Sequence, residues 1–385
     1  MVVGADGIVR ALYGASLAAK PSSELRVTAL GKILQRRIAA EGPITIADFM
    51  TAALLHPEHG YYAGKDPFGA EGDFITAPEI SQMFGELIGL WCAATWQQMG
   101  MPRDILLIEL GPGRGTLMAD ALRALRVVPA FLEQSTIHLV EASPALRAVQ
   151  KSTLSAYDVT WHDGLESLPE GPCLLIANEF LDALPIRQII RQDDIWHERL
   201  VSHDGDDFIF ILDKAPSPLA TLLPETITMA APAKRLIEIS PAVLGVAKTV
   251  SDRIARNGGA ALFIDYGHGV TSPGETLQAV RAHQSVYVLD APGTADVTAH
   301  IDFAAFARAA SNTSVHGPVE QGDFLMRLGI EARRETLSHG TTQQAQTKIN
   351  QAFERLTSPE GMGRLFKVMA LAPNGGPVPA GFETN

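Results

Sequence analysis

Two cysteines, Cys92 and Cys173, are all that the 385 residues contain. Each sits in an apolar run, which favours a buried small hydrophobe over a disulfide partner or a thiol nucleophile. Two thiols cannot build a four-cysteine zinc site, and their scarcity fits a reducing compartment. Basic residues are also outnumbered. The chain has 31 Lys and Arg against 43 Asp and Glu, a net charge of −12. A protein that binds the nucleic-acid backbone needs a basic face, so this balance argues against that class. No run of 18 apolar residues occurs, so no membrane-spanning helix is expected. Met1 to Lys20 carries Asp6 and only Arg10 and Lys20 as bases, which makes a poor secretion signal and a poor transit peptide. There is no Gly-x-Ser-x-Gly elbow for Ser-His-Asp hydrolysis, and no internal repeat or biased tract.

What is present is enough apolar material for a folded globule of two to three domain-sized units, with 46% hydrophobic and 19% charged residues. The chain reads as three regions: residues 1–103, a core formed by 104–185 and 231–385, and an excursion at 186–230. The first region is mostly helical. Leu25, Leu30, Ile33, Leu34 and Ile38 recur largely at three- and four-residue steps. A second helix runs from Ile46 to Leu55, opened by Thr45 with Asp48 three residues on, as in a capping box. Between Pro57 and Pro78 four Gly and three Pro impose a long loop. Glu79 to Met99 then reads as one strong helix.

From Ile105 short apolar runs alternate with helical stretches and end in polar residues. Ile105–Ile108 ends at Glu109, Ile137–Val140 at Glu141, Cys173–Ala177 at Asn178-Glu179, and Ala260–Ile264 at Asp265. Asp158–Trp161 is a weaker strand. This alternation specifies a doubly wound α/β sheet, which binds ligands at the carboxyl ends of its strands. The excursion reads as antiparallel strands turning at Asp204-Gly205. Its exposed edges suit a homodimer or partner surface better than catalysis. Asp265 to about His300 reads as a long loop, and Leu365–Leu371 as a last, antiparallel strand.

The most informative segment is Glu109-Leu110-Gly111-Pro112-Gly113-Arg114-Gly115-Thr116. A strand, a glycine turn and a helix start present bare backbone amides to a ligand. No Lys follows Gly115, which excludes a P-loop, and Thr116 spoils the last glycine of a dinucleotide fingerprint. The pattern Glu-x-Gly-x-Gly-x-Gly, filled at every position, resembles the first motif of S-adenosylmethionine methyltransferases. That ligand has no phosphate, so no basic clamp is needed. Glu141 is placed to accept two hydrogen bonds from a ribose diol. Glu109 is placed to orient the loop or the ligand amine, and Asp163 to meet adenine. The competing reading is that Glu109 and Glu141 only cap strand ends.

Asn178-Glu179-Phe180-Leu181-Asp182-Ala183-Leu184-Pro185 follows the fourth strand, at the edge that faces the transferred methyl. A guanidinium, with a pKa of about 13.8, is a poor nucleophile until a carboxylate binds it and localises its charge. Glu179 and Asp182 can do this jointly. Asn178 can instead hold a neutral amide or amine. His56-x-x-His59 lacks metal-ligand partners nearby and reads as a structural loop, so no metal site is expected. Asp302 reads as a cap for the helix at Phe303.

These motifs, with Gly60-Tyr61-Tyr62, Gly72-Asp73-Phe74-Ile75-Thr76-Ala77-Pro78-Glu79-Ile80-Ser81-Gln82, Ile264-Asp265-Tyr266-Gly267, Pro292 to Phe303 and Leu365 to Met369, carry a family resemblance. The chain resembles the family of the mitochondrial complex I assembly protein arginine methyltransferase and its bacterial homologues, from about Leu25 to Leu371. His268 departs from it, standing where an aromatic is expected. The resemblance implies a seven-stranded class I methyltransferase sheet with an N-terminal helical region and an antiparallel hairpin insertion. It implies S-adenosylmethionine as donor and dimethylation of an arginine in a complex I (NADH dehydrogenase) subunit. The location would be cytoplasmic in a bacterium and the mitochondrial matrix in a eukaryote, with the weak leader favouring the former. Gly72, Asp73 and Phe74 are then expected to close over the donor. The rival readings are a methyltransferase for another acceptor, a non-catalytic assembly chaperone and a dinucleotide oxidoreductase.

Overall fold

Every residue of Ile105–Leu110 (β1) and Cys173–Asn178 (β4) is buried. Uninterrupted apolar strands of this kind suit the middle of a parallel sheet covered on both faces. The computed structural model describes residues 28–64, 76–230 and 235–383. The other core strands are β2 (Ser135–Val140), β3 (Val159–His162), β5 (Gly259–His268), β6 (Ser314–Glu320) and β7 (Phe366–Ala372). Their order across the sheet is β3-β2-β1-β4-β5-β7-β6, and the short strand Ile301–Asp302 adds to the carboxyl end of β5. β1 to β5 run parallel, while β7 is antiparallel to β5 and β6. The expected doubly wound sheet and its reversed last strand are therefore both present.

The order brings the tips of β1, β4 and β5 side by side at the carboxyl edge. On one face the helices Gln82–Gln98 and Thr116–Leu125 pack with the C-terminal segment around Trp91, Phe131 and Phe324. Pro241–Asn257 and Phe303–Ala309 cover the other face around Phe263 and Phe306. Cys92 and Cys173 are free and buried in these cores, where burial pushes both thiols up, so neither is a ready nucleophile. Asp302 caps its helix as expected, accepting from the Ala305 amide at 2.9 Å.

The stretch expected as one helix from Glu79 to Met99 is two: Ala77–Ile80 and Gln82–Gln98. Ser81 separates them in extended backbone, and its hydroxyl caps the second helix at Met83 N. The Thr45–Asp48 capping box forms in full. The antiparallel sheet comprises Arg187–Gln192, Ile195–Asp204, Asp207–Pro216, Leu236–Ile239 and Ile44–Thr45. It therefore continues past residue 230, the boundary expected from the sequence, because Leu236–Ile239 pairs with Arg187–Ile190. The stretch expected to be a loop after Asp265 holds a small sheet of Gln278–Arg281, Gln284–Val286 and Asp296–Thr298. These strands are too short for their alternation to stand out.

This small sheet and the N-terminal helices share a core around Phe49, Met50 and Val297. Gly293 locks the two together. Its φ is +85°, and an added Cβ would lie 2.1 Å from the His59 carbonyl oxygen. Backbone cannot yield as a side chain does, so Gly293→Ala should lower thermal stability by several degrees, read by differential scanning calorimetry. An unchanged melting temperature would show that the contact relaxes freely.

Candidate active site

Three glycines make the turn after β1. Gly111, Gly113 and Gly115 have φ of +61°, +53° and +80°, the left-handed region that glycine enters without a Cβ penalty. Gly115 sits at the N-cap of Thr116–Leu125, so the helix start opens onto the turn. The loop is fastened from both sides. Gly111 N donates to Val140 O at 3.0 Å. Gln150 Nε2 donates to Gly113 O at 2.8 Å and to Glu141 Oε2 at 3.2 Å. Trp161 Nε1 donates to Gln150 Oε1 at 2.9 Å and so orients that amide.

Glu109 lies beneath this loop, 2% exposed. Its Oε2 has no hydrogen-bond partner among the described residues. Burial pushes its carboxyl up to about 8, with no cation or donor among the described residues offsetting the desolvation. Glu141, at the tip of β2, is also buried and raised by burial, and accepts Ser143 N at 2.7 Å. Asp163 is exposed and ion-paired with Arg147 at 2.5 Å, and the Arg147 Nε donates to the Glu141 carbonyl. Glu109, Glu141 and Asp163 thus line the adjacent tips of β1, β2 and β3. Gly72, Asp73 and Phe74 lie outside the described residues.

At the tip of β4 the backbone turns sharply, with Glu179 at φ +48° and its amide bonded to Ile264 O. Glu179 Oε1 accepts from Ala77 N at 2.9 Å and from Asn178 Nδ2 at 3.2 Å. Burial, and then the Asp182 charge, push Glu179 up to about 7. Burial pushes Asp182 up to about 6. The Asn178 Oδ1 is buried without a partner among the described residues. The three residues singled out beforehand, buried Asn178 and Asp182 and half-buried Glu179, are therefore in one cluster beside the glycine turn. Phe180 packs against that turn: a Cβ on Gly111 would lie 2.7 Å from its ring.

Several contributors escape sequence reasoning. Asp265 accepts from Leu181 N, Asp182 N and Tyr266 N, and so shapes the whole β4 turn. Burial, with Asp182 and Glu179 nearby, holds its carboxyl well above the usual range. Its signals in the sequence were a place at a strand end and a place in the Ile264-Asp265-Tyr266-Gly267 motif, neither of which gave it a role. The short helix Ala77–Ile80 bridges the site. At one end Ala77 N bonds Glu179, and at the other Glu79 Oε1 accepts from Thr116 Oγ1 at 2.5 Å. Tyr62 brings its hydroxyl to Asp296 at 3.2 Å, and its carbonyl accepts from Ser143 Oγ. His56 Nδ1 accepts from Glu58 N and His59 N, a loop-forming role. Among the described residues no group of His, Cys, Asp and Glu is arranged to hold a metal ion, and no helix is long and apolar enough to cross a membrane.

A glycine cradle at the tip of β1, acids at the neighbouring tips and this strand order together define a class I S-adenosylmethionine-dependent methyltransferase. Residues 87–319 match the family of S-adenosyl-L-methionine-dependent methyltransferases, and the chain belongs to that family. It is 36% identical over 367 residues to the mitochondrial protein arginine methyltransferase NDUFAF7 of Danio rerio, covering 88% of this chain and 86% of that protein. The Homo sapiens protein of the same name is 34% identical, with 91% and 85% covered. A crystal structure of a relative from Burkholderia thailandensis, bound to S-adenosyl-homocysteine, aligns with a TM-score of 0.80 at 29% identity and covers 96% of both chains. The unsatisfied Glu109 Oε2 and the bare glycine turn fit this donor, which offers an ammonium group and a nucleoside but no phosphate.

Proposed function

We propose that this chain methylates an arginine side chain of a protein substrate, with Glu179 and Asp182 holding the guanidinium. The observation that carries this reading is the carboxylate pair at the turn beside the donor cradle, Asp182 buried and Glu179 half-buried, with desolvation holding both above the usual range. Burial without enough cationic compensation is the signature of a site that receives a cation. Arg355, whose guanidinium is lowered by burial and raised by Glu179, offsets only part of this charge. The relatives named as arginine methyltransferases point the same way.

In this reading Glu109 meets the donor's ammonium, the amides of Gly111, Gly113 and Gly115 approach its backbone, and Glu141 takes the ribose diol. Asp163, paired with Arg147, stands at the adenine end. Gly72, Asp73 and Phe74 would close over the bound donor. The bound donor supplies a sulfonium-activated methyl group. Glu179 and Asp182 align one guanidinium nitrogen with that methyl and localise the positive charge on the others; as the N–C bond forms the C–S bond breaks to leave S-adenosyl-homocysteine, and the nitrogen's proton passes to Glu179. Asn178, with Oδ1 free, accepts a further N–H. A complex I subunit is the acceptor to try first, in line with the resemblance carried by the motifs.

The test is incubation of the full chain with labelled S-adenosylmethionine and complex I subunit peptides, followed by amino-acid analysis. Label in methylarginine is expected, and label in lysine or in a small molecule would overturn the arginine assignment. Replacing the arginine by lysine in a labelled peptide should abolish transfer, because lysine presents no planar fork to two carboxylates.

A further inference from the structure

Tyr266, next to Asp265 on β5, is 6% exposed. Its ring is clamped by two others. His300 meets it edge-on at 5.1 Å between centroids and Phe366, its partner across the ladder, at 5.5 Å. A ring held in this way gives its hydroxyl one direction. Asp182 and Thr298 are the side chains that act on this hydroxyl, yet it makes no hydrogen bond of ordinary geometry among the described residues. The Thr298 Oγ1 is likewise buried and unpartnered. Buried hydroxyls are rarely left this way, and catalytic hydrogen bonds often tighten only when the substrate complex forms. The backbone already ties the two segments together, for Ala299 N donates to Asp182 O at 3.1 Å.

We propose that Tyr266 is a positioning residue for methyl transfer: its hydroxyl donates to the Asp182 carboxylate, accepts from Thr298, and so keeps that carboxylate charged and aimed at the acceptor. The proposal rests on the arginine reading for its last step. Such a donor would add to the backbone amides of Ala183 and Asp182, which also favour the ionised carboxylate, against the other groups around it. Asp265 lies on the same strand as Tyr266 and Glu179 on the same loop as Asp182. Tyr62, with its partner Asp296, faces Asp182 from the segment Tyr61–Gly64. The charges among these neighbours are negative, and each favours a proton on Asp182. Arg355 acts on Glu179, and His300, pushed down to about 4 by burial, is neutral. Among the side chains around Asp182, Tyr266 is the one whose influence favours the ionised form.

The experiment uses the full chain as wild type, Tyr266→Phe and Thr298→Val. Calorimetry with S-adenosyl-homocysteine checks that each variant folds and binds as the wild type does. Carboxyl carbon NMR on aspartate-labelled protein, with Asp182→Asn to assign the signal, follows the Asp182 titration. Its midpoint should rise by about one pH unit in Tyr266→Phe, the scale of one hydrogen bond to a charged group, and by less in Thr298→Val. The acid limb of label transfer to an arginine peptide should move upward with it. An Asp182 midpoint that stays in place overturns the proposal, as does a limb that ignores a moved midpoint. If the wild type labels no arginine peptide, the arginine reading fails, while the Asp182 midpoint still decides whether Tyr266 holds this carboxylate.

Discussion

Glu179→Gln should lower the rate of methyl transfer by about 10²–10³-fold, the scale of losing one aligned electrostatic partner, while affinity for S-adenosyl-homocysteine changes little. Glutamine keeps the length of the side chain and an oxygen for the Ala77 amide, so the short helix Ala77–Ile80 stays in place. What goes is the negative charge that binds the guanidinium. The pH profile separates this from damage to the fold. Burial raises Glu179 to about 7 and Asp182 to about 6. The ionised forms do the work, so wild-type activity is present above these values and falls as pH drops through them. In Glu179→Gln the residual activity should lose the limb near 7 and keep one near 6. Single-turnover transfer across pH makes the measurement. A variant as fast as wild type would remove Glu179 from the mechanism.

The second large effect concerns the donor. Gly111→Val should weaken binding of S-adenosyl-homocysteine by tenfold or more, measured by calorimetry. Two penalties act at once. A β-branched residue at φ +61° costs about 1–2 kcal/mol, and about 1.4 kcal/mol is a factor of ten. The new Cβ would also meet the Phe180 ring at 2.7 Å. Phe180 lies between Glu179 and Asp182, so relief of the clash moves the acceptor turn as well. Circular dichroism should stay native, since β1 and its helix keep their ladder and core. Wild-type affinity in this variant would mean that the glycine turn does not approach the donor.

The core sheet was legible because parallel strands buried on both faces must be apolar along their covered length, and Ile105–Ile108 and Cys173–Ala177 are. Their ends were legible for the opposite reason: Glu109, Glu141 and Asn178 interrupt such runs abruptly. The capping box at Thr45 and Asp48 and the cap at Asp302 depend on neighbours three residues apart, so local sequence suffices. The break at Ser81 was not legible, because an apolar periodicity passes through it. Only the pull of Glu179 on Ala77 N and of Thr116 on Glu79 shows what the short helix is for.

Sequence by itself therefore determined the succession of the five parallel core strands, the glycine turn, and the acids that can serve a donor and an acceptor. These features rest on backbone conformation and hydrophobic period, which short stretches of chain encode. Tertiary structure alone decided that Asp265 would pin the Asp182 turn, that the Tyr266 ring would pack between His300 and Phe366, and that Gln150 would join Gly113 to Glu141. Those contacts link residues far apart in the chain. Their energies come from burial and from the loss of water around charged groups, which exist only once the sheet has brought the strand tips together.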